Sequence, residues 1–226
     1  SSSALAAIGD AKAVKPMLKL ANSEDIALEF RLAGVQQLSF LGSEKAIPGL
    51  MKMLKKDHKM YHFSSHGLRL QVAIALGRLV DGKNKSLVSK LNKQVAKING
   101  QFEKWAKQAR ASFDAAKTNK EKREFAADLK GFKKFISDYA EVETAIAVSV
   151  ECGQSMDCWG KKLGDKSVPV RLVAGYRLAQ AKGDAQAVAR KALASFAGDK
   201  DLVVRNVILF GLRRIGDKSN VAQLKK

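Results

Sequence analysis

The stretch that decides the fold is Asp165-Lys-Ser-Val-Pro-Val-Arg171, because it returns 34 residues later as Asp199-Lys-Asp-Leu-Val-Val-Arg205. Each copy continues into an apolar helical pattern that ends at a Gly-Asp step, Gly183-Asp184 and Gly216-Asp217. Self-similarity at a period of about 20 to 50 residues is typical of stacked supersecondary units that share one core. The sequence therefore predicts a repeat architecture.

The same Asp-to-Arg pattern occurs nearer the start of the chain. The segment from Asp25 to Arg31 keeps the interval of six residues, and Leu68 to Gly77 keeps Arg69 without the preceding Asp. The chain has only three prolines and 46% hydrophobic residues, and it lacks the alternating pattern of strands. We therefore expect an all-α protein.

These boxes resemble HEAT repeats, particularly the short bacterial HEAT repeats related to phycobilisome-lyase repeats. The resemblance covers roughly residues 1–82 and 155–226 and implies an α-solenoid of stacked helix pairs. It also implies that the Asp and Arg residues form a structural ladder between repeats and are not catalytic. The ladder residues are Asp25, Arg31, Arg69, Asp165, Arg171, Asp199 and Arg205.

A coiled-coil pattern separates the two groups of repeats. Apolar residues alternate at intervals of three and four from Val88 to Ala116 and again from Phe125 to Tyr139. Between them, Thr118-Asn-Lys-Glu121 is a capping box that predicts the second helix to start at Thr118. We expect two antiparallel arms of about 30 residues, about 45–50 Å long, that project from the body. Gly100 is the predicted point where the first arm leaves it.

The predicted fold is thus an all-α, HEAT-type α-solenoid interrupted by a long antiparallel coiled-coil hairpin. We divide the chain into N-terminal repeats (1–82), a basic helical hairpin (83–152) and C-terminal repeats (153–226). The first residues have the pattern of the end of a helix, and the last residues have the pattern of the middle of one. This pattern predicts an excerpt from a longer array.

Positive charge concentrates on the predicted hairpin. Between Lys83 and Lys134 there are thirteen Lys and two Arg against five acidic residues, a net +10 out of +19 for the chain. Such a field attracts acidic proteins and polyanions from beyond contact distance. The alternative is a merely solvated arm. The predicted binding residues on the distal half are Lys104, Lys107, Arg110, Lys117, Lys120, Lys122 and Arg123.

An acidic protein or envelope polymer is the first choice of partner, and nucleic acid is the second. The basic residues are mostly Lys, and the aromatic residues belong to the predicted seam, where they are not free to stack on bases. Sequence-nonspecific binding of the nucleic-acid backbone, by a solenoid like that of DNA glycosylases, stays open. The hairpin could also pair with a second copy of itself.

The chain has two cysteines, Cys152 and Cys158, on either side of a predicted turn. They could close a small disulfide loop, which would indicate an oxidising compartment, or pack as two free thiols. The pattern is similar to HEAT-like proteins of the bacterial envelope, which implies a periplasmic location and a disulfide. A cytoplasmic location is the alternative.

The sequence does not indicate catalysis, a cofactor or a metal. It has no phosphate-cradling Gly-rich loop, no Gly-x-Ser-x-Gly and no His-Glu-x-x-His. His58, His62 and His66 follow one another at intervals of four, but we expect them in a polar link between repeats, with Ser64-Ser65 capping the next helix. Our hypothesis is a non-catalytic scaffold that binds another macromolecule through its hairpin and the concave face of its solenoid.

Overall fold

The computed structural model describes residues 11–57, 60 and 62–216, and the regular structure of these residues is entirely helical. This confirms the predicted all-α class. Two 3-10 turns, Ala11–Ala13 and Glu44–Ala46, lead into α1 and α3. The α-helices are α1 (Val14–Asn22), α2 (Leu28–Leu41), α3 (Ile47–Leu54), α4 (Phe63–Leu79), α5 (Lys85–Ala115), α6 (Asn119–Cys152), α7 (Met156–Lys162), α8 (Val168–Ala179), α9 (Ala185–Ser195) and α10 (Leu202–Ile215).

The helices pack as successive pairs, α1 with α2, α3 with α4, α5 with α6, α7 with α8 and α9 with α10. The second helix of each pair also packs on the second helix of the next pair. These second helices, α2, α4, α6, α8 and α10, are called the inner helices below. Because pairs stack in chain order around one continuous inner layer, the fold is an α-solenoid.

Local sequence signals set several helix ends. Gly42 closes α2 with φ 68°, a left-handed conformation that glycine adopts without steric cost. At the start of α6, the Glu121 amide donates to Thr118 Oγ1 at 3.2 Å, and the Glu121 carboxylate accepts from the Thr118 amide at 3.0 Å. The predicted capping box at Thr118 is confirmed.

The hairpin consists of α5, with 31 residues, and α6, with 34 residues. At 1.5 Å per residue the arms are about 46 and 51 Å long. Its seam is formed by the apolar residues that the three-four spacing predicts. The fully buried side chains of the seam include Leu91, Val95, Ile98 and Phe102 on α5 and Phe132 and Tyr139 on α6.

The base of the hairpin is itself one of the stacked pairs. Its inner helix α6 packs on α4 and on α8, as the other inner helices pack on their neighbours. Ser149 donates from Oγ to the main-chain oxygen of Gly77 at 2.8 Å, which fixes the register of α6 against α4. The hairpin therefore extends the third helix pair at its far end. The division at residues 83 and 152 stays a prediction.

The hairpin also docks on the N-terminal end of α4. The Phe63 ring stacks on Phe132 at 5.4 Å, and His66 lies edge-on to Phe102 at 5.0 Å and to Trp105 at 5.3 Å. These contacts lie further along the arm than Gly100, so the predicted exit point at Gly100 is wrong. Aromatic packing on α4 holds the arm beyond that residue.

The last part of the hairpin has a different character. From Arg110 to Gly131 no residue is buried, whereas Ala109 and Phe132 on either side are. We call residues 110–131 the tip. Without a buried residue of its own, the tip presents its side chains to solvent while the aromatic packing below holds it.

At the other end of the molecule the inner helices converge. The ring of Phe40 near the end of α2 lies 4.7 Å from Tyr176 of α8 and 4.6 Å from Phe210 of α10, edge-on in both cases. Gln180 Nε2 donates to the main-chain oxygen of Ser39 at 3.1 Å. The concave face predicted as a contact surface is therefore covered at this end by the inner helices themselves.

Candidate interaction surface on the hairpin

All thirteen Lys and both Arg between Lys83 and Lys134 are exposed. Within the described residues, two of them form salt bridges, Arg110 with Asp114 at 3.0 Å and Lys134 with Asp138 at 2.8 Å. Exposed pairs of this i,i+4 kind contribute little stability, and salt screens them. The net charge of +10 on this segment is therefore mostly available to a partner.

Five lysines form a stripe along the outward side of α5. At 100° per residue, these lysines fall within an arc of about 100° on the side of the helix opposite the seam. They are Lys90, Lys93, Lys97, Lys104 and Lys107. The stripe is about 25 Å long. Because α5 is an outer helix, the stripe faces away from the inner layer.

A shallow groove of about 360 Å³ runs between the two arms at the tip. Phe113 of α5 and Ala126 and Leu129 of α6 line it with apolar surface. Its cationic residues are Arg110, whose guanidinium carbon lies 5.7 Å from the centre of the Phe113 ring, together with Lys130 and Lys133. The predicted set included Arg110 but missed Lys130 and Lys133. The sequence could have placed both lysines beside the groove, because they follow the seam residue Leu129 by one and four positions.

The apex carries four further exposed cations, Lys117, Lys120, Lys122 and Arg123. Between them, Glu121 accepts hydrogen bonds from the backbone and hydroxyl of Thr118 and from the Lys117 amide. These bonds, of which the backbone bond from Thr118 is the largest cause, lower the pKa of Glu121 below its ordinary value. The ionised Glu121 thus holds the chain reversal that presents the four cations.

Below the tip, the aromatic side chains of the hairpin are used internally. Phe102 and Phe132 are buried, and Phe102 stacks on Phe135 at 4.8 Å. Trp105 is half-buried against His66. Aromatic rings that bind single-stranded bases must be free to stack on them, and these rings are already packed on each other.

The histidines do not form the predicted polar link. His62 is the residue before α4, and His66 lies inside α4, fully buried among the aromatic rings. Helix α4 begins at Phe63, so Ser64 and Ser65 lie in its first turn and the prediction that they cap it is wrong. His58 lies outside the described residues. Within the described part of the chain, no group of three or more His, Cys, Asp or Glu side chains is placed to hold a metal ion.

The two cysteines lie at the turn between α6 and α7. Their sulphur atoms lie at disulfide distance from each other. Trp159, one residue after Cys158, is fully buried, and its Nε1 donates to the main-chain oxygen of Gly153 at 3.0 Å. The turn is therefore held from both sides, by the sulphur pair and by the indole.

The four arginines of the predicted ladder each tie a helix to the chain segment before it. Nε donates to a main-chain oxygen in three of them, Arg31 to Ala21 at 3.1 Å, Arg69 to Leu54 at 2.9 Å and Arg205 to Asp199 at 3.1 Å. Arg171 instead donates from Nη1 to the Asp165 oxygen and makes a two-pronged bond to the Asp199 carboxylate in the next repeat. Asp25 is exposed in the turn before α2.

No protein-family model matches the chain, and no curated protein matches it. Among solved structures, the chain is similar to a designed armadillo repeat protein, YIII(Dq.V1)4CPAF, solved in complex with the peptide (KR)4. The match has 14% sequence identity and a TM-score of 0.28, and it covers 94% of this chain and 86% of that one. Among the helices described, none is long and apolar enough to cross a bilayer.

Proposed function

We propose that this protein is a non-catalytic scaffold of the HEAT-repeat class that binds an acidic protein through its hairpin. The observation that carries the proposal is the exposed net charge of +10 on the hairpin, of which two side chains are paired within the described residues. Charge at this density raises association rates and selects partners of opposite sign.

The packing of the hairpin supports a binding role over a solvated spacer. The aromatic residues Phe63 and His66 of α4 fix the arm below the tip, so the backbone that carries the cations does not have to be ordered when a partner binds. Preorganised groups lose less conformational entropy on binding. In this proposal the Asp and Arg ladder is structural and the hairpin is the contact surface.

The test uses two matched variants with five charges removed from each. The hairpin variant replaces Lys104, Lys107, Arg110, Lys130 and Lys133 with Gln. The control variant replaces five exposed lysines of the C-terminal pairs with Gln, Lys161, Lys166, Lys182, Lys191 and Lys200. Both lose the same net charge, so a difference between them reports the place of the charge.

The probes are an immobilised acidic helical peptide, poly-glutamate and a DNA duplex, at several salt concentrations. We expect the hairpin variant to bind the acidic peptide at least about tenfold more weakly than the control variant, a loss of about 1.4 kcal/mol. Equal binding by the two variants would overturn the proposal.

Nonspecific nucleic-acid binding is the second candidate, favoured by the stripe of five lysines on α5. It requires only contacts to phosphates, whose strength falls steeply with salt. It predicts that the unmodified protein binds the duplex more tightly than either acidic peptide, with a salt slope that flattens in the hairpin variant. That outcome would replace the protein partner with nucleic acid.

The proposal includes a bacterial periplasmic or envelope location, because disulfides persist in oxidising compartments. The measurement is the thiol state of natively isolated protein, with free thiols trapped by alkylation and the peptide containing Cys152 and Cys158 read by mass. An intact disulfide is expected. Two alkylated thiols would contradict the location and favour the cytoplasm.

A further inference from the structure

A cavity of about 220 Å³ lies among three inner helices, α4, α6 and α8. Most of its wall is aliphatic. The aliphatic lining residues are Leu70 and Ile74 of α4, Val142 and Ala145 of α6 and Leu172 and Val173 of α8. Its lining also includes Lys134 of the hairpin and Arg78, which connects it to the converging helix ends at Phe40.

Arg78, next to the last residue of α4, lies at the inner end of this cavity. Its Nη1 donates to Ser39 Oγ at 3.2 Å, and its guanidinium carbon lies 3.8 Å above the Tyr176 ring. Its Nε is buried and has no hydrogen-bond partner among the described residues. None of the described residues places a carboxylate within salt-bridge distance of Arg78.

A buried guanidinium without an anion is unfavourable, because desolvation of the charge is repaid only when the charge is paired. Burial lowers the pKa of Arg78, and the charge interaction and side-chain hydrogen bond with Tyr176 oppose that shift only in part. The cavity therefore has at one end a guanidinium that contacts Tyr176 and Ser39 but no carboxylate, with aliphatic walls leading to it.

The acidic residues that line the cavity lie at its other end. The bond from Ser149 to Gly77 places Arg78 level with the residue after Ser149 on α6. Asp138 and Glu141 lie 12 and 9 residues earlier on α6, so their backbones are about 18 and 14 Å from that level along the helix. Asp138 is paired with Lys134 at 2.8 Å. Negative charge at the rim is thus distant from Arg78 and partly neutralised.

We propose that this cavity binds a carboxylate carried on a short apolar chain, with the carboxylate accepting hydrogen bonds from the Arg78 guanidinium. Arg forms charge-assisted bonds to carboxylates, which are stronger than bonds between neutral groups. The aliphatic walls would take the chain, as in other ligand pockets with few convergent polar groups. A free medium-chain fatty acid and the apolar C-terminus of a peptide share this chemistry.

The experiment compares three ligands with the same eight-carbon chain by titration calorimetry. These ligands are octanoate, octanol and octylamine. We expect octanoate to bind at least about tenfold more tightly than octanol, which is about 1.4 kcal/mol, and octylamine to bind most weakly. Tighter binding of octylamine would assign the site to the acidic rim and overturn the proposal, as would the absence of octanoate binding.

Two variants separate the head group from the chain. Arg78→Met is expected to remove the preference for octanoate over octanol, while Leu172→Trp fills the cavity and is expected to weaken both ligands. Unchanged octanoate binding in Leu172→Trp would overturn the site. Because Arg78 also contacts Ser39 and Tyr176, Arg78→Lys serves if the Met variant does not fold, and circular dichroism checks the helicity of both variants. A preference for octanoate that survives undiminished in Arg78→Lys would contradict recognition by the guanidinium.

A pair of peptides distinguishes the two sources of the carboxylate. An N-acetylated tetrapeptide of Val and Leu is tested with a free and with an amidated C-terminus. Binding of the free form, tighter than octanoate, would identify a peptide C-terminus as the ligand. Binding of octanoate alone would identify a fatty acid. Binding of the amidated form as tightly as the free form would contradict recognition of a carboxylate.

Discussion

Arg214 donates from Nη1 to the main-chain oxygen of Phe40 at 2.7 Å, which joins two residues 174 positions apart in the chain. Gln180 and Arg177 make bonds of the same kind to the oxygens of Ser39 and Val80. These oxygens belong to the last turn of α2 and to the residue that follows α4, where carbonyls have no partner within the helix. The side chains of α8 and α10 therefore satisfy the helix ends that they pack against.

We predict that Phe40→Ala lowers the free energy of unfolding by about 3 kcal/mol. The ring joins α2 to α8 and α10, so its removal leaves a cavity between helices that are distant in the sequence. Phe30→Ala is the control, because Phe30 lies on the same helix but is 60% exposed. Urea unfolding followed by circular dichroism measures both, and equal losses would contradict the role assigned to Phe40.

Two helix-interior glycines of the hairpin are expected to respond in opposite directions. A Cβ at Gly100 would meet nothing within 4 Å, and Gly100→Ala should raise the free energy of unfolding by up to about 1 kcal/mol. A Cβ at Gly131 would lie 2.8 Å from Cε1 of the Phe63 ring, so Gly131→Ala should push the arm from α4. Thermal melts of the two variants test this. A stabilised Gly131→Ala would show that the arm does not dock there.

The pair of Arg171 and Asp199 predicts how the stability of the fold changes at low pH. Their side chains are each 5% exposed. Burial opposes ionisation of Asp199, but the bonds from Arg171 and from the Asp201 amide outweigh it and lower the pKa of Asp199. The unfolded chain therefore binds a proton at a higher pH than the folded one. Stability from this carboxylate is present above about pH 4, its ordinary pKa range, and is lost as the pH falls through the lower folded value.

We therefore expect Asp199→Asn to lower the free energy of unfolding by about 3 kcal/mol at pH 7, because Arg171 loses its carboxylate. The difference from the unmodified protein should shrink between about pH 4 and pH 2. Asp25→Asn, at an exposed position, is the control. Urea unfolding at each pH is the measurement, and a difference that grows as the pH falls would be the wrong sign for this interpretation.

The sulphur pair closes a loop of seven residues, from Cys152 to Cys158. Cross-linking a loop this short is expected to contribute about 2 kcal/mol by restricting the unfolded chain. Reductant should therefore lower the melting temperature of the native protein and leave a Cys152→Ser, Cys158→Ser double variant unchanged. Equal melting of the native protein with and without reductant would contradict the cross-link.

Local patterns predicted the elements that depend on neighbouring residues. Thr118 and Glu121 lie three positions apart and cap each other, so the start of α6 could be read directly from the sequence. The seam of the hairpin followed from the three-four spacing because each buried residue, such as Phe102 or Phe132, repeats one helical face.

Contacts between distant helices gave no such signal. His66 was expected in a polar link, because the flanking His, Ser and Gly residues resemble a loop, yet rings from both arms of the hairpin bury it. The convergence at Phe40 depends on the curvature of the whole stack, to which every pair contributes a small rotation. The inner position of Arg78 could not be predicted for the same reason.

The convergence of α2 with α10 has a consequence for how the chain unfolds. In a linear array of repeats each unit touches only its neighbours, so unfolding can begin at an end and spread inward one unit at a time. Here α2, in the first pair, and α10, in the last, are also neighbours through Phe40, Phe210 and Arg214. Neither end can loosen without losing contacts to the other. We therefore expect the described pairs to unfold together and not one at a time from an end.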